Sequence, residues 1–264
     1  MTKQSIKIQY LYHSGFRVET NKHILIFDYY QGNVNWRDKT TLVFVSHAHP
    51  DHYNPVIWKW RATNPAIKYI LSDDLRTQIP PELLAGTSGS SSGRTHGKDN
   101  IKENFQENNS VIILPPYQKV RVGDVLIKTY GSTDVGVSFL VEADGMRIFH
   151  AGDLNWWHWW GEQAEDIARA EVMFKEEMAK IKEDLAQEVG QTIDFAFFPV
   201  DQRLEHNYCL GADYFIEKLA PRFLIPMHFG DHLETAHKYA QKMINSPTKI
   251  ITFEEKGQEI ILQV

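Results

Sequence analysis

The chain has 264 residues, of which 42% are hydrophobic and 23% charged, a usage that excludes disordered, collagen-like and coiled-coil proteins. A formal charge of −6 offers no broad basic field for wrapping nucleic acid, and the lone cysteine, Cys209, excludes an intramolecular disulfide and fits a reducing compartment. Residues 1–15 lack a charged stretch followed by an apolar one, and the longest apolar runs are strand-length, so a cytoplasmic protein with no membrane span is expected.

The first 150 residues read mainly as β. Ile6, Ile8, Tyr10 and Tyr12 alternate with polar neighbours, the period of a half-buried strand. Segments 16–19 and 24–27 are the next two strands, and the second ends at a carboxylate, Asp28. Residues 41–46 (TLVFVS) are almost wholly apolar, as in a strand covered on both faces. Asn54 and Pro55 then open a short helix through residue 61. Residues 86–109 are dominated by Gly, Ser, Asn and charge and read as a partly mobile insert within one domain spanning 1–264.

Strands resume at 111–114, 120–121, 125–130, 136–142 and 147–150, the last two joined by the hairpin signal Asp144–Gly145. Ile167, Ala170, Phe174, Met178, Ile181 and Leu185 keep helical spacing and predict a long helix over 163–189, closed by Gly190. The remainder alternates: strand 195–199, helix 212–219, strand 223–226, helix 233–244 and two final strands.

The segment Ser46-His47-Ala48-His49-Pro50-Asp51-His52 is the most informative. Imidazoles and carboxylates are good ligands for zinc and similar divalent ions. Spacing by two puts His47 and His49 on one side of an extended backbone, and a turn at Pro50–Asp51 swings Asp51 and His52 to a neighbouring position, as two metals sharing a water would need. The opposing reading, a solvated polar loop capping the helix after it, has little weight because HxHxDH directly after a buried strand is rare by chance.

These residues resemble the metallo-β-lactamase superfamily, whose hallmark is HxHxDH following a buried strand. The resemblance extends to Arg147–Asp153 (RIFHAGD), to 223–231 (FLIPMHFGD), and to the opening Leu11-Tyr12-His13-Ser14-Gly15-Phe16 with Ile24–Asp28, which is similar to the branch of lactonase-like and phospholipase-D-like hydrolases. It implies an α/β (α+β) four-layer αββα sandwich with metals at one edge. One metal would take His47 and His49, the other Asp51, His52 and His228, with Asp153 bridging. The third histidine that the family supplies to the first metal is missing from Tyr130-Gly131-Ser132-Thr133-Asp134-Val135-Gly136. Asp134 is the best replacement there, ahead of His150, which reads as a residue behind the ligands.

A divalent ion can bring the pKa of water to about 7, so hydrolysis is the natural reaction class. Asp51 and His52 are the catalytic candidates, on a small phosphorylated, lactone or other ester substrate, with zinc or manganese, one or two ions per chain. Trp156 and Trp157, from the run Leu154-Asn155-Trp156-Trp157-His158-Trp159-Trp160, are candidates for an apolar wall at the site mouth, with core packing as the competing reading. His158, Asp201, Arg203 and His206 are further substrate candidates, although Asp201 and Arg203 could equally form a structural pair. His23, His96, His232 and His237 read as surface histidines, and Met173 and Met178 as packing. A small-molecule partner is expected; a homo-oligomer is compatible with the sequence. The alternative to an enzyme is a weak or inactive metal-binding or interaction protein on the same scaffold, which the missing histidine favours.

Overall fold

The alternating and all-apolar runs become strands: β1 (Ser5–Tyr12), β2 (Gly15–Glu19), β3 (His23–Phe27), β4 (Thr40–Val45), β5 (Lys68–Ser72), β6 (Val111–Leu114), β7 (Lys119–Val122), β8 (Val125–Tyr130), β9 (Ser138–Ala143), β10 (Met146–His150), β11 (Phe195–Pro199), β12 (Phe223–Met227), β13 (Lys249–Ile250) and β14 (Glu259–Gln263). The helices are a single turn, α1 (Pro81–Leu84), then α2 (Ala164–Ala186), α3 (Leu210–Leu219) and α4 (Leu233–Lys242). The computed structural model describes residues 5–84, 109–188 and 192–263.

Among the described residues the strands form two seven-stranded sheets, ordered β14-β1-β2-β3-β4-β5-β6 and β13-β12-β11-β10-β9-β8-β7. Each sheet has an antiparallel and a parallel half. In the first, pairing is antiparallel from β14 to β3 and parallel from β3 to β6; in the second it is parallel from β13 to β10 and antiparallel from β10 to β7. Parallel strands are covered on both faces, which is why β3, β4, β11 and β12 carry apolar runs rather than alternation.

The sheets face each other across an aromatic core. Phe16 meets Phe197 at 4.7 Å between ring centroids, Phe27 meets Phe44 at 4.8 Å, and Phe44 meets Phe139 at 5.4 Å. Each of these fully buried side chains contributes roughly 2–3 kcal/mol of transfer free energy. On the outer face of the second sheet, Phe174 of α2 packs on Phe198, and Phe215 of α3 on Phe149. The first sheet's outer face (Ile24, Ile26, Val43, Val45, Tyr69, Leu71) is covered by Ile57, Leu75 and Ile79 from short 3₁₀ segments and their flanks. The four-layer sandwich is therefore present, with 3₁₀ turns serving as one outer layer among the described residues.

The segment after Asn54 is such a 3₁₀ helix, Pro55–Ala62, with Asn54 Oδ1 accepting from Val56 N. Strand β5 was not anticipated: Lys68 and Ser72 leave it an apolar run of only three residues, Tyr69 to Leu71. Helix α2 ends at Ala186, before the expected 189, and Gly190 lies outside the described residues. So does the expected insert 86–109, apart from Asn109. No helix among the described residues is long and apolar enough to cross a membrane.

Candidate metal centre

The parallel strands deliver the chemistry. Asp28 follows β3, the HxHxDH segment follows β4, Asp153 follows β10, Asp201 follows β11 and His228 follows β12, so these groups converge at the carboxyl ends of both sheets, where open α/β sheets place their ligands. After β4 the chain turns back on itself, with His52 N and Tyr53 N both donating to His49 O. Two glycines pin this loop. A Cβ on Gly136 (φ +81°) would lie 2.0 Å from Ser46 O, and one on Gly152 (φ +54°) 2.7 Å from Ser46 Cβ. Val137 N donates to Ser46 O across the same approach. His13, Asp28 and His228 themselves adopt positive φ (57°, 42° and 69°), a backbone cost that is concentrated at functional sites.

Three imidazoles face Asp153. His52 Nε2 lies 3.0 Å from Oδ1, His228 Nε2 3.3 Å from Oδ1, and His47 Nε2 3.3 Å from Oδ2. The opposite nitrogen of each ring is turned toward an acceptor. His52 Nδ1 is 2.7 Å from Asp28 Oδ2, and His228 Nδ1 is 3.0 Å from Asp201 Oδ2. Arg203 Nη2 also lies 3.3 Å from His228 Nδ1, but that guanidinium grips Asp201 through three contacts of 2.5–3.0 Å. Ser46 Oγ donates its single hydrogen to Asp28 Oδ2 at 2.6 Å, so at 2.9 Å it accepts from His47 Nδ1. In their neutral form all three rings thus carry the proton on Nδ1 and leave Nε2, the nitrogen that faces Asp153, to bind a cation or a second proton. Carboxylates behind ligating histidines fix the tautomer in just this way.

The electrostatics follow from that convergence. Burial opposes charge on His52 and His228, yet Asp153, with Asp28 behind one ring and Asp201 behind the other, raises the proton affinity of both. Burial likewise opposes ionisation of Asp153, but His52 and His228 hold its carboxyl well below the usual range. The hydrogen bond from His13 holds Asp51 low, and Asp201 is lowered to about 2 by His228 and Arg203 in spite of its burial. The centre is a set of ionised carboxylates facing basic ring nitrogens.

Whether a metal fits is answered by the unpartnered atoms. His47 Nε2, His52 Nε2 and Asp153 Oδ1 are buried without a hydrogen-bond partner, a costly state for polar atoms that a shared cation relieves. The ligating atoms fall into three overlapping groups, each within 4.8 Å: His13, Asp51, His52 and His228; His47, His52 and Asp153; His49, Asp134 and Asp153. This nitrogen-and-carboxylate donor set fits a divalent metal.

Every residue expected to bind metal lies at this edge, but not in equal enclosure. His49 and Asp134 approach to only 3.8 Å, and their side chains are 45% and 44% exposed. His150 offers no lone pair to the centre: its Nε2 donates to Ser14 O at 2.9 Å, and Nδ1 accepts from Gly152 N. It stacks on Phe27 instead.

A cavity of about 560 Å³ opens on this face, lined in part by Trp157, Trp159, Met173, Asp153, Arg203 and His228. Trp157 meets His228 edge-on at 5.4 Å and stacks parallel to Trp159 at 5.8 Å. Trp156 is a correction: its ring is buried against Phe174 and Tyr214, because α2 and α3 pack over it, and it lines neither cavity beside the centre. His206 is another. It meets Trp160 and lines a separate cavity with Tyr208 and Glu234, since the chain turns away at Glu205. His158 is fixed by its backbone, N to Trp156 O and O to Asn207 Nδ2, and lines neither cavity beside the centre. Asp201 and Arg203 are both a structural pair and cavity residues. Met173 faces the cavity rather than the core, whereas Met178 is buried. His23 is buried between Asp124 and Asp144, at 2.7 and 3.1 Å, not on the surface.

Sequence reasoning left two members of the site without a role. Asp28 was visible as a carboxylate at a strand end, and His13 as part of LYHSGF; the pairing of either with the centre depends on long-range approach.

Residues 7–175 match the Beta-lactamase superfamily domain. A "UPF0173 metal-dependent hydrolase" of Thermococcus onnurineus (strain NA1) is 24% identical over 234 residues, covering 85% of this chain and 84% of the relative. Among solved structures, Igni18, described as a novel metallo hydrolase from Ignicoccus hospitalis, superposes with a TM-score of 0.62 at 18% identity, covering 98% of this chain and 99% of that one. The metallo-beta-lactamase fold protein YhfI from Bacillus subtilis gives 0.56 at 13% identity, covering 98% and 100%. Structural likeness at such identities establishes the fold, and the domain match covers most of the chain, so this protein belongs to the beta-lactamase superfamily.

Proposed function

We propose that this chain is a metal-dependent hydrolase that cleaves a small lactone, phosphorylated or other ester with water. The observation that carries the reading is the convergence of the buried, unpartnered Nε2 atoms of His47 and His52 on the two oxygens of the Asp153 carboxylate, of which Oδ1 is likewise unpartnered. Asp153, His52, His228, His47 and Asp51 would hold a first zinc or manganese ion, and His49 with Asp134 would add ligands toward a second, sharing Asp153. A divalent metal there supplies Lewis acidity, activating water and polarising the substrate's carbonyl or phosphoryl oxygen.

The protein's own groups do the rest. Asp51 is held ionised and half-open to the cavities, where its carboxylate orients the attacking water. His52 and His228 are locked by Asp28 and Asp201, so no reorganisation is needed when charge develops. Trp157, Trp159 and Met173 form an apolar wall for the non-reacting part of the substrate.

The test is elemental analysis of metal per chain, followed by turnover of a lactone, p-nitrophenyl ester and phosphodiester panel by wild type and Asp51→Ala. Two equivalents of metal and a turnover lost in Asp51→Ala, with an unchanged circular dichroism spectrum, are expected. Full occupancy without turnover of any substrate would overturn the enzyme reading. It would favour the second one, a metal-binding or interaction protein, which the half-exposed His49 and Asp134 support.

A further inference from the structure

His13 stands among the metal-ligating groups as though it were one more imidazole ligand. A nitrogen of its ring falls within 4.8 Å of the ligating atoms of Asp51, His52 and His228, and its ring lies 4.1 Å from that of His228. Its hydrogen bonds are of the opposite kind. Gly230 N donates to His13 Nδ1 at 3.1 Å. A ring nitrogen that accepts from an amide cannot itself carry hydrogen, so the single proton of the neutral ring sits on Nε2. His47, His52 and His228 each turn Nδ1 to an acceptor and free the Nε2 lone pair; His13 turns Nδ1 to a donor and leaves Nε2–H facing the centre.

We infer that His13 is a positioning residue that serves the centre as a hydrogen-bond donor to Asp51, not as a ligand. This rests on the metal-site reading above. Nε2 is buried, and Asp51 Oδ2, at 3.4 Å, is the acceptor that faces it. The ring cannot turn over to offer the other nitrogen without orphaning Gly230 N. Its backbone is held as well: His13 N donates to Tyr10 Oη, and His13 O accepts from His228 N, both at 3.1 Å. The residue thereby ties the end of β1 to the end of β12. The other carboxylates have their own donors, Ser46 for Asp28 and Arg203 for Asp201; Asp51, half-exposed, has His13. Asp51 is kept in one orientation by that contact.

Nitrogen-15 NMR of the histidine rings tests this directly, on the chelated protein and on protein titrated with zinc alone. The expected result is a proton on Nε2 of His13 in both states, against Nδ1 for His47, His52 and His228 in the zinc-loaded state. A His13 proton on Nδ1, or an Nε2 resonance shifted by zinc as a ligand's is, would overturn the inference. Failure of wild type to take up zinc would sink the metal reading, while the tautomer in the chelated protein would still decide the role of His13.

Two variants add a second readout. His13→Asn tolerates the left-handed backbone and keeps an acceptor for Gly230 but does not reach Asp51; His13→Gln reaches it. Both should keep the wild-type zinc stoichiometry. With the ester panel, His13→Asn should lose about 10- to 100-fold in kcat with little change in KM, and His13→Gln should recover most of it. Loss of one zinc equivalent in both variants would mark His13 as a ligand and refute the proposal.

Discussion

His52 and His49 are three residues apart and differ in everything that fixes a side chain. His52 is fully buried, its Nδ1 held by a carboxylate that is itself held by Ser46 N and Oγ, and its Nε2 3.0 Å from Asp153. His49 is half-exposed, and the carboxylate that approaches it, Asp134, sits on a loop between β8 and β9 with Asp134 N bonded only to Ser132 Oγ. One end of the centre is organised before any metal arrives and the other must be ordered by it. The difference predicts a tight site and a loose one, not two equal ones.

Removing Asp153 should erase the contrast altogether, since both ends depend on it. Asp153→Ala should lose both metals and, with them, several kcal/mol of transition-state stabilisation, a fall in rate of about a thousandfold. Metal analysis of the purified variant beside its rate checks this; retention of one tight equivalent would show that the two ends are independent. Asp28→Asn acts only on the organised end. It keeps size and removes the charge behind His52 Nδ1, so metal affinity there should fall by about 10- to 100-fold while the open end is little affected. Competition with a chelator of known affinity would resolve the two.

Acidity separates the ends in a third way. In metal-free protein the raised proton affinity of His52 and His228 stabilises the fold below their ordinary value near 6.5, and this is lost as pH rises through the higher folded values. The lowered Asp153 and Asp201 act in the other direction, stabilising above about pH 4 and failing as pH falls toward 2. Chelated protein should therefore be most stable between about pH 4 and 6.5 and should melt progressively lower above that. Metal replaces those protons at the same nitrogens, so the loaded protein should not decline. Melting curves from pH 6 to 9 should show the gap between loaded and chelated samples widening by at least about 3 °C. A constant gap would mean that the imidazoles are not the metal's ligands.

The same contrast separates what the sequence makes legible from what it conceals. His47, His49, Asp51 and His52 are local to one loop after an apolar strand, and β4 with its neighbours reads directly from hydrophobic runs. The sandwich is legible because motifs of seven to nine residues, through their family resemblance, mark three of its strand ends. The backing of the centre is not local. Asp28 reaches His52 across 24 residues, His13 reaches Gly230 across 217, and Gly131 N is held by the buried Glu177 of α2 across 46. No periodicity encodes such pairs. The tryptophan run misled for a related reason: composition shows that four indoles cannot share one core, but the turn at Trp156 decides which face each takes, and it sends Trp156 inward and Trp157 to the metal edge.

The smallest effect belongs to the open end, and it is the sharpest test of the difference. Asp134 is partly screened by solvent, so its removal should cost about 1 kcal/mol, roughly fivefold in affinity, at one equivalent of metal only. Asp134→His should do the reverse. An imidazole at that position supplies the neutral nitrogen that the loop between β8 and β9 lacks, and it should tighten the weaker equivalent without changing the stronger. Titration of chelated Asp134→Ala, wild type and Asp134→His with zinc would read this as a weak step that moves in opposite directions around a fixed strong one. If the strong step moved instead, Asp134 would be a ligand of the organised end, and the division between the two halves would have to be redrawn around Asp153.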